Sequence, residues 1–282
     1  MSTGESKDTI EIRGIQLRKD PARESVHKIV HSQHEMRNGS IATPEAQRDF
    51  VHRDMNNEIQ SLEIAAQTLI DFPEAPWELR VSFARQCWDE SRHAQLHANT
   101  LAAMGGYKGE FPIANHEWGV ACMIPTLAGR LAVQNRAFEG GSLDVFYKMA
   151  AEWRLMGEEH AAEVTEGICV DEIQHVRFAN RWLKQMIKER PRAVIEIANA
   201  VAQANRIMRA LAPKEGEFSI DGVELAARNP SFPVNVEDRA LADFSPDEVA
   251  SLLDAQQAKL ENEQRQRAEY ERALKEGRVA AE

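Results

Sequence analysis

Apolar positions recur at threes and fours through most of the chain, the spacing of helices that bury one face. The clearest case opens at Thr43-Pro44-Glu45: a hydroxyl cap, a proline in the first turn and an acid at the helix's positive end. Its stripe is Val51, Met55, Leu62, Ala65 and Leu69, and Phe72-Pro73-Glu74-Ala75-Pro76 ends it, so helix A spans 44 to about 71. Helix B runs from about 76 to 104, where Gly105-Gly106 stops it. Residues 107–124 make a longer connection expected to cross between helix pairs. Ile124-Pro125-Thr126 opens helix C, which reaches about Met156; Gly157 makes a short turn, and helix D extends to about Arg190, before Pro191. A fifth, half-buried helix is expected over 192–211 and a loop rich in Pro, Gly and Asn over 212–245. Ser245-Pro246-Asp247-Glu248 then starts a sixth helix, so charged from Glu261 on that it must be solvated or bind another chain. The expected fold is all-α: an N-terminal arm (1–43), a four-helix bundle with one long crossover (44–190), an extra helix and loop packed on it (191–245) and a charged C-terminal helix (246–282).

Polar residues inside the apolar stripes carry the chemistry. Helix B contains Cys87-Trp88-Asp89-Glu90-Ser91-Arg92-His93, and helix D contains Cys169-Val170-Asp171-Glu172-Ile173-Gln174-His175, 82 residues later at every matching position. Glu and His three apart share a helix face, so each repeat can offer a carboxylate and an imidazole to one metal ion. Each Asp, four residues before its His, is expected to accept the ring N–H that faces away from the metal. A two-metal bundle needs one more carboxylate from each remaining helix. Carrying the offset back selects Glu58 on helix A and Glu139 on helix C, 81 residues apart; Glu58 lies within an apolar stripe, where an unpaired carboxylate is costly. Glu63 and Asp144 have the same separation and are expected to form a further symmetric shell. A lone Glu-x-x-His is usually just a solvated helix face; the repetition gives the motif its weight. Cys87 and Cys169 read as packing beneath the site, because a carboxylate-rich site suits a harder metal than thiolate selects.

Around these six residues the reading stays open. His97, one turn after His93, fits a ligand, a proton donor or a hydrogen-bonded core histidine. Asn135 and Arg136, one turn before Glu139, can reach a substrate carboxylate, or Arg136 can sit in a structural ion pair. Gly140-Gly141 inside helix C suits either a local widening beside the metals or close helix packing. Trp88, Tyr147 and Trp153 read as core aromatics rather than redox groups.

A hydrophobic content of 43% is ample for a core, and the net charge of −11 without a dense basic block argues against nucleic acid as a partner. Met1 to Gly14 lacks an apolar signal region and no segment has the roughly 18 apolar residues of a membrane span, so no membrane partner is expected and the cytoplasm is the expected location. Three cysteines, Cys87, Cys122 and Cys169, in helical patterns argue for reduced thiols. Four carboxylates balance two divalent ions, and oxygen with imidazole ligation suits iron or manganese, with zinc open on ligand type alone. Without a Gly-rich dinucleotide fingerprint or a Cys-x-x-Cys, electrons for any redox chemistry are expected from an external electron donor or reductase.

Glu58, Glu90 with His93, Glu139, and Glu172 with His175 resemble, position by position, the pattern of the ferritin-like di-iron carboxylate superfamily. Asn57 to Glu63, Phe138 to Asp144 and Asp171 to His175 are similar to segments of a bacterial ferritin-like family, over about residues 44–190. Overall size and polar extensions are also similar to the N-oxygenases that turn a hydrazine into an azoxy group in valanimycin-type natural-product pathways. The resemblance implies a non-haem di-iron oxygenase with two iron ions (Fe2+/Fe3+), manganese as the alternative, and O2 as co-substrate. Its small-molecule substrate would be a hydrazine or amine undergoing N-oxygenation; apart from the resemblance, substrate choice is expected at His97, Asn135 and Arg136, which have no obvious counterparts at the repeat offset. A monomer or homodimer goes with that function; a large cage goes with the alternative, ferroxidase or iron binding without an organic substrate.

Overall fold

Helices make up most of the fold, as the apolar spacing requires; the computed structural model describes residues 8–31, 41–211, 219–220, 223–224 and 232–275. The first elements are a hairpin the sequence reading left as an arm, β1 (Thr9–Ile12) antiparallel to β2 (Ile15–Arg18). Its two-residue turn, Arg13-Gly14, is left-handed at both positions (φ 53° and 77°), which matches the twist of the paired strands. The arm is part of the body: Leu17 is buried, Trp118 Nε1 donates to the Lys19 carbonyl at 2.9 Å, and the Val30 N–H donates to the Ile113 carbonyl at 2.8 Å.

Helix α1 (Pro44–Asp71) begins where the cap predicts, with Thr43 Oγ1 accepting from the Ala46 N–H at 3.2 Å. Helix α2 (Trp77–Ala103) packs along it and ends at Gly105, whose φ of 79° lets the Gly106 N–H reach the Leu101 carbonyl at 2.9 Å. The crossover contains an unforeseen short helix, α3 (His116–Ala121), packed on α1 and β2. The third long helix is composite: α4 (Leu127–Leu131), a π-helical stretch over Ala132–Glu139, and α5 (Gly140–Leu155) follow without a break. Gly157 at φ 82° turns the chain into α6 (Glu159–Glu189), which packs on α5, the π stretch and α2 and so joins the two helix pairs.

Helix α7 (Ala193–Leu211) lies on α3, α4 and the π stretch. The region expected as loop over 212–245 holds more order among its described residues: β3 (Ser219–Ile220) pairs with β4 (Val223–Glu224), and α8 (Val236–Leu241) is capped by Asn235 Oδ1 accepting from the Asp238 N–H at 3.2 Å. Elements this short have no periodicity to read. Helix α9 (Pro246–Lys275) starts with a reciprocal capping box: the Glu248 N–H donates to Ser245 Oγ at 3.3 Å and the Ser245 N–H to Glu248 Oε2 at 2.8 Å. Its described side chains beyond Gln256 are exposed, as the charge pattern requires. Among the described residues no helix is long and apolar enough to cross a membrane.

Apolar clusters fill both ends of the helix array. Leu79, Phe83, Leu131 and Leu183 pack at one end, and Leu143, Ile168 and Val176 at the other with Phe244 and Val249 from the C-terminal segment. Each fully buried side chain of this kind contributes about 1.5–3 kcal/mol. Between them lies a buried layer that is not apolar: Glu58, Glu90, His93, Glu139, Glu172 and His175.

Candidate metal centre

Four helical stretches deliver this layer: α1 carries Glu58, α2 carries Glu90 and His93, the π stretch carries Glu139, and α6 carries Glu172 and His175. The side chains converge as two overlapping sets, Glu58, Glu90, His93 and Glu172, and Glu90, Glu139, Glu172 and His175, each with ligand atoms within 4.8 Å of one another. Glu90 and Glu172 belong to both sets, so the carboxylates of the two repeats lie between two positions, each completed by a histidine and a glutamate of its own. His93 Nδ1 lies 3.1 Å from Glu90 Oε2, 3.3 Å from Glu172 Oε1 and 3.4 Å from Glu58 Oε2. His175 Nδ1 lies 3.1 Å from Glu172 Oε2 and 3.3 Å from Glu90 Oε1.

Without cations these groups strain one another's charge. Burial and the Glu172 charge push Glu90 up to about 8, and burial with Glu172 and Glu90 raises Glu139 well above the usual carboxylate range. Burial opposes ionisation of Glu58 too, but His93 and His97 outweigh it and hold the carboxyl at about 2. Burial would lower His175, yet Glu172 and Glu90 beside it raise the imidazole to about 10. Glu172 Oε1 is buried without a hydrogen-bond partner. Hard oxygen donors with two imidazoles, an orphaned buried oxygen and two four-ligand sets fit two divalent ions. The thiols do not join them: burial raises Cys87 to about 11, Cys87 Sγ lies against the Leu62 carbonyl, and Cys169 Sγ against Asp238.

The aspartates of the repeat depart from expectation. Each serves the histidine of the other helix: Asp171 Oδ2 lies 3.3 Å from His93 Nε2, and Asp89 Oδ2 lies 3.4 Å from His175 Nε2. Across the packed α2 and α6 pair the opposite Asp is nearer the ring edge than the residue one turn below. Arg92 bridges Asp89 and Asp171, and Arg85 Nε donates to Asp89 Oδ2 at 2.7 Å, so both acids are also tied by cations.

Other expectations need correction. Glu63 and Asp144 form no shell around the centre: Arg23 clamps Glu63, and Arg239 binds Asp144 through Nε at 3.0 Å and Nη2 at 2.7 Å. Arg136 takes the structural role, stacked over Phe244 at 4.4 Å and paired with Asn180 and with Glu248 at 2.7 Å. Asn135 donates to Gln86 Oε1 at 2.8 Å instead of facing a ligand cavity. His97 is buried with Nε2 3.5 Å from Glu58 Oε1 and has no hydrogen-bond partner there, so it borders the centre without the bond expected of a core histidine. Trp88 and Tyr147 are exposed; of the three aromatics only Trp153 is core.

Two glutamines went unread. Gln134 Nε2 donates to Glu139 Oε1 at 2.8 Å, and Gln86 Nε2 donates to Glu139 Oε1 at 3.1 Å and Glu90 Oε1 at 3.0 Å. Gln86 lies one α-turn before Glu90 and was legible by spacing. Gln134 lies five before Glu139, a separation that meets on one face only in a π turn. That stretch is also the local widening for which Gly140-Gly141 was one sign; close packing is not needed, since a Cβ at Gly141 would meet nothing within 4 Å.

The centre opens on one side. A cavity of about 560 Å³ is lined by Glu58, Glu139 and Glu172, by Phe138, Phe146 and Phe232, and by two acids the sequence reading passed over, Asp54 and Glu117. Burial raises Asp54 to about 6 against the pull of His97 and Arg53, and burial, then Glu58 and Asp54, raise Glu117 to about 7.

Comparison with curated proteins found no match, and comparison with solved structures found none either. A family model described as "Protein of unknown function (DUF455)" matches residues 3–250, from the hairpin through the centre to the start of α9. The match takes in every helix that contributes to the candidate centre and the segments that clamp Glu63 and Asp144, and the chain belongs to this DUF455 family.

Proposed function

We propose that the chain is a ferritin-like di-metal carboxylate enzyme, with iron as its resident metal, that uses O2 to oxidise a small organic molecule. The observation that carries this reading is the pair of four-ligand sets sharing Glu90 and Glu172, with a cavity against one side. Glu58 with His93 would hold one ion, Glu139 with His175 the other, and Glu90 and Glu172 would serve both. Bound iron supplies the electron-transfer and O2 chemistry that carboxylates and imidazoles lack.

The chain's own residues do the rest. Asp171 and Asp89 accept from Nε2–H of His93 and His175, which fixes each ring with Nδ1 turned to the carboxylates, where a bound ion would take its lone pair. Gln86 and Gln134 fix Glu139 through its Oε1. Phe138 and Phe146 present apolar surface to the cavity and keep water from the reacting group. His97 Nε2 lies 3.5 Å from Glu58 Oε1 and would steady that carboxylate from behind the cavity lining. N-oxygenation of a hydrazine or amine is the finer form of the proposal and rests on resemblance.

Anaerobic loading with ferrous iron followed by O2 exposure tests the reading. About two irons per chain, and O2 uptake accelerated by hydrazines or amines with an N-oxygenated product, are expected. One iron or none overturns the centre. Uptake that stops once iron is oxidised, from an assembly of cage size on size exclusion, selects ferroxidase instead.

A further inference from the structure

The cavity has more negative charge than the metals account for. Two divalent ions balance Glu58, Glu90, Glu139 and Glu172, and Arg239 balances Asp144. Asp54 and Glu117 are left over: both line the cavity, and among the described residues neither carboxylate has a hydrogen-bond or salt-bridge partner. Arg53 and His97 act on Asp54 only from a distance, and Lys259 stands on the exposed α9 side of the cavity. Glu172, nearly fully buried in the same wall, makes no hydrogen bond at Oε1, which lies 3.3 Å from His93 Nδ1. Asp54 lies one turn before Glu58 on α1, so its carboxylate stands about 6 Å along the helix from a metal-facing one.

We propose that this cavity selects small molecules bearing a cationic group, which Asp54 and Glu117 anchor one helical turn from the centre. Calling that molecule a substrate rests on the function proposed above. The cation is organic rather than a third metal ion for two reasons. Among the described residues no chelating set of three includes Asp54 or Glu117. The same lining includes Phe138, Phe146 and Phe232, aromatic surface that suits the apolar body of an amine better than a hydrated ion. A volume of about 560 Å³ lies in the range of small-molecule sites. The anchored ammonium is a handle and not the atom oxidised, because a protonated nitrogen has no lone pair to give. Carboxylated and phosphorylated molecules are repelled.

Calorimetry on the full-length, metal-loaded chain at about pH 8, where both acids are ionised, uses benzylamine with benzyl alcohol and benzoate as its neutral and anionic counterparts. Benzylamine is expected to bind at least about tenfold more tightly than the alcohol, and benzoate not at all. Asp54→Asn and Glu117→Gln should each remove most of that preference while keeping the wild-type metal content. Benzylamine binding no tighter than benzyl alcohol, whether both bind or neither does, overturns the proposal, as does a preference that survives both substitutions. A third metal ion per chain that disappears in either variant also overturns it, since the acids would then serve a metal. Metal content read in the same samples separates this result from the function: amine preference without bound metal sinks the di-metal reading and leaves the cation site standing.

Discussion

Replacing Glu90 by glutamine should stabilise the metal-free protein and weaken the loaded one. Burial and the nearby Glu172 charge raise the Glu90 carboxyl from its ordinary 4.5 to about 8. The folded chain therefore keeps a proton there that the unfolded chain has released, and stability is lost as pH rises from about 4.5 through about 8. At pH 7 the difference from 4.5 corresponds to about 3 kcal/mol, and between pH 6.5 and 8 the wild-type chain loses about 2 kcal/mol through this group. Glutamine at this position has the same shape, is neutral at every pH and keeps the oxygen that accepts from Gln86 Nε2 at 3.0 Å. In urea denaturation with a chelator present, Glu90→Gln should be the more stable protein at pH 7, by up to about 3 kcal/mol, and its stability should fall less steeply toward pH 8. With metal the order should invert, because ions that bind only the folded chain add stability in proportion to their affinity and Glu90 belongs to both ligand sets. A metal-free variant no more stable than wild type would show that the buried carboxylates are not in conflict, and would refute the charge reasoning behind the two-ion site.

Three further outcomes test other parts of the structure. Gln134→Ala removes a donor to Glu139 without touching a ligand; affinity for the more weakly held ion should fall about 10–100-fold in a competitive chelator titration, with the circular dichroism spectrum unchanged. His52 accepts from the Gly109 N–H at 2.9 Å, and burial, then His27, lower its pKa from 6.5 to about 4. Its stabilising contribution is complete above about pH 6.5 and is lost as pH falls toward about 4, a total of about 3 kcal/mol; His52→Gln should flatten that part of the urea-midpoint curve. Arg239→Ala leaves Asp144 with no cation, held only by the Asn235 N–H at 2.8 Å, and frees the Gly140 carbonyl, which Nη2 contacts at 2.7 Å; equilibrium unfolding should show a loss of about 3–5 kcal/mol, and a loss below about 1 kcal/mol would mean the pair behaves as a surface ion pair.

Helix boundaries and the six central residues were legible because each has a local cause: a cap, a glycine with positive φ, or polar residues recurring inside an apolar stripe. Thr43, Gly105, Gly157 and the Ser245 to Glu248 box all sit where those causes put them. What was not legible depends on neighbours distant in sequence. Asp89 and Asp171 exchange partners because α2 and α6 pack face to face, and no spacing within one helix reports that. Arg136 is claimed by Asn180 and Glu248, and Glu63 by Arg23, through segments whose positions only tertiary packing fixes. The hairpin and α8 are too short for periodicity to announce them.

The repeat itself explains where the site becomes asymmetric. Glu58 and Glu139 are 81 residues apart, and the same offset pairs Asp54 with Asn135, each one α-turn before its glutamate. On α1 the turn is regular and Asp54 lines the cavity. On the other helix the π stretch intervenes: Gln134 takes the place beside Glu139, and Asn135 is turned away to Gln86. One half of a near-symmetric scaffold thus closes over its carboxylate with two carboxamides, while the other leaves an acid facing open space. The six candidate ligands alone would make two equivalent positions for the proposed ions. The extra width of the π turn makes them different, so that an ion held by Glu58 and His93 has His97 and Asp54 for neighbours and one held by Glu139 and His175 has Gln86 and Gln134. A π stretch restored to α-helical pitch, by deleting one residue between Ala132 and Gln134, would turn Asn135 back toward Glu139 and erase that difference.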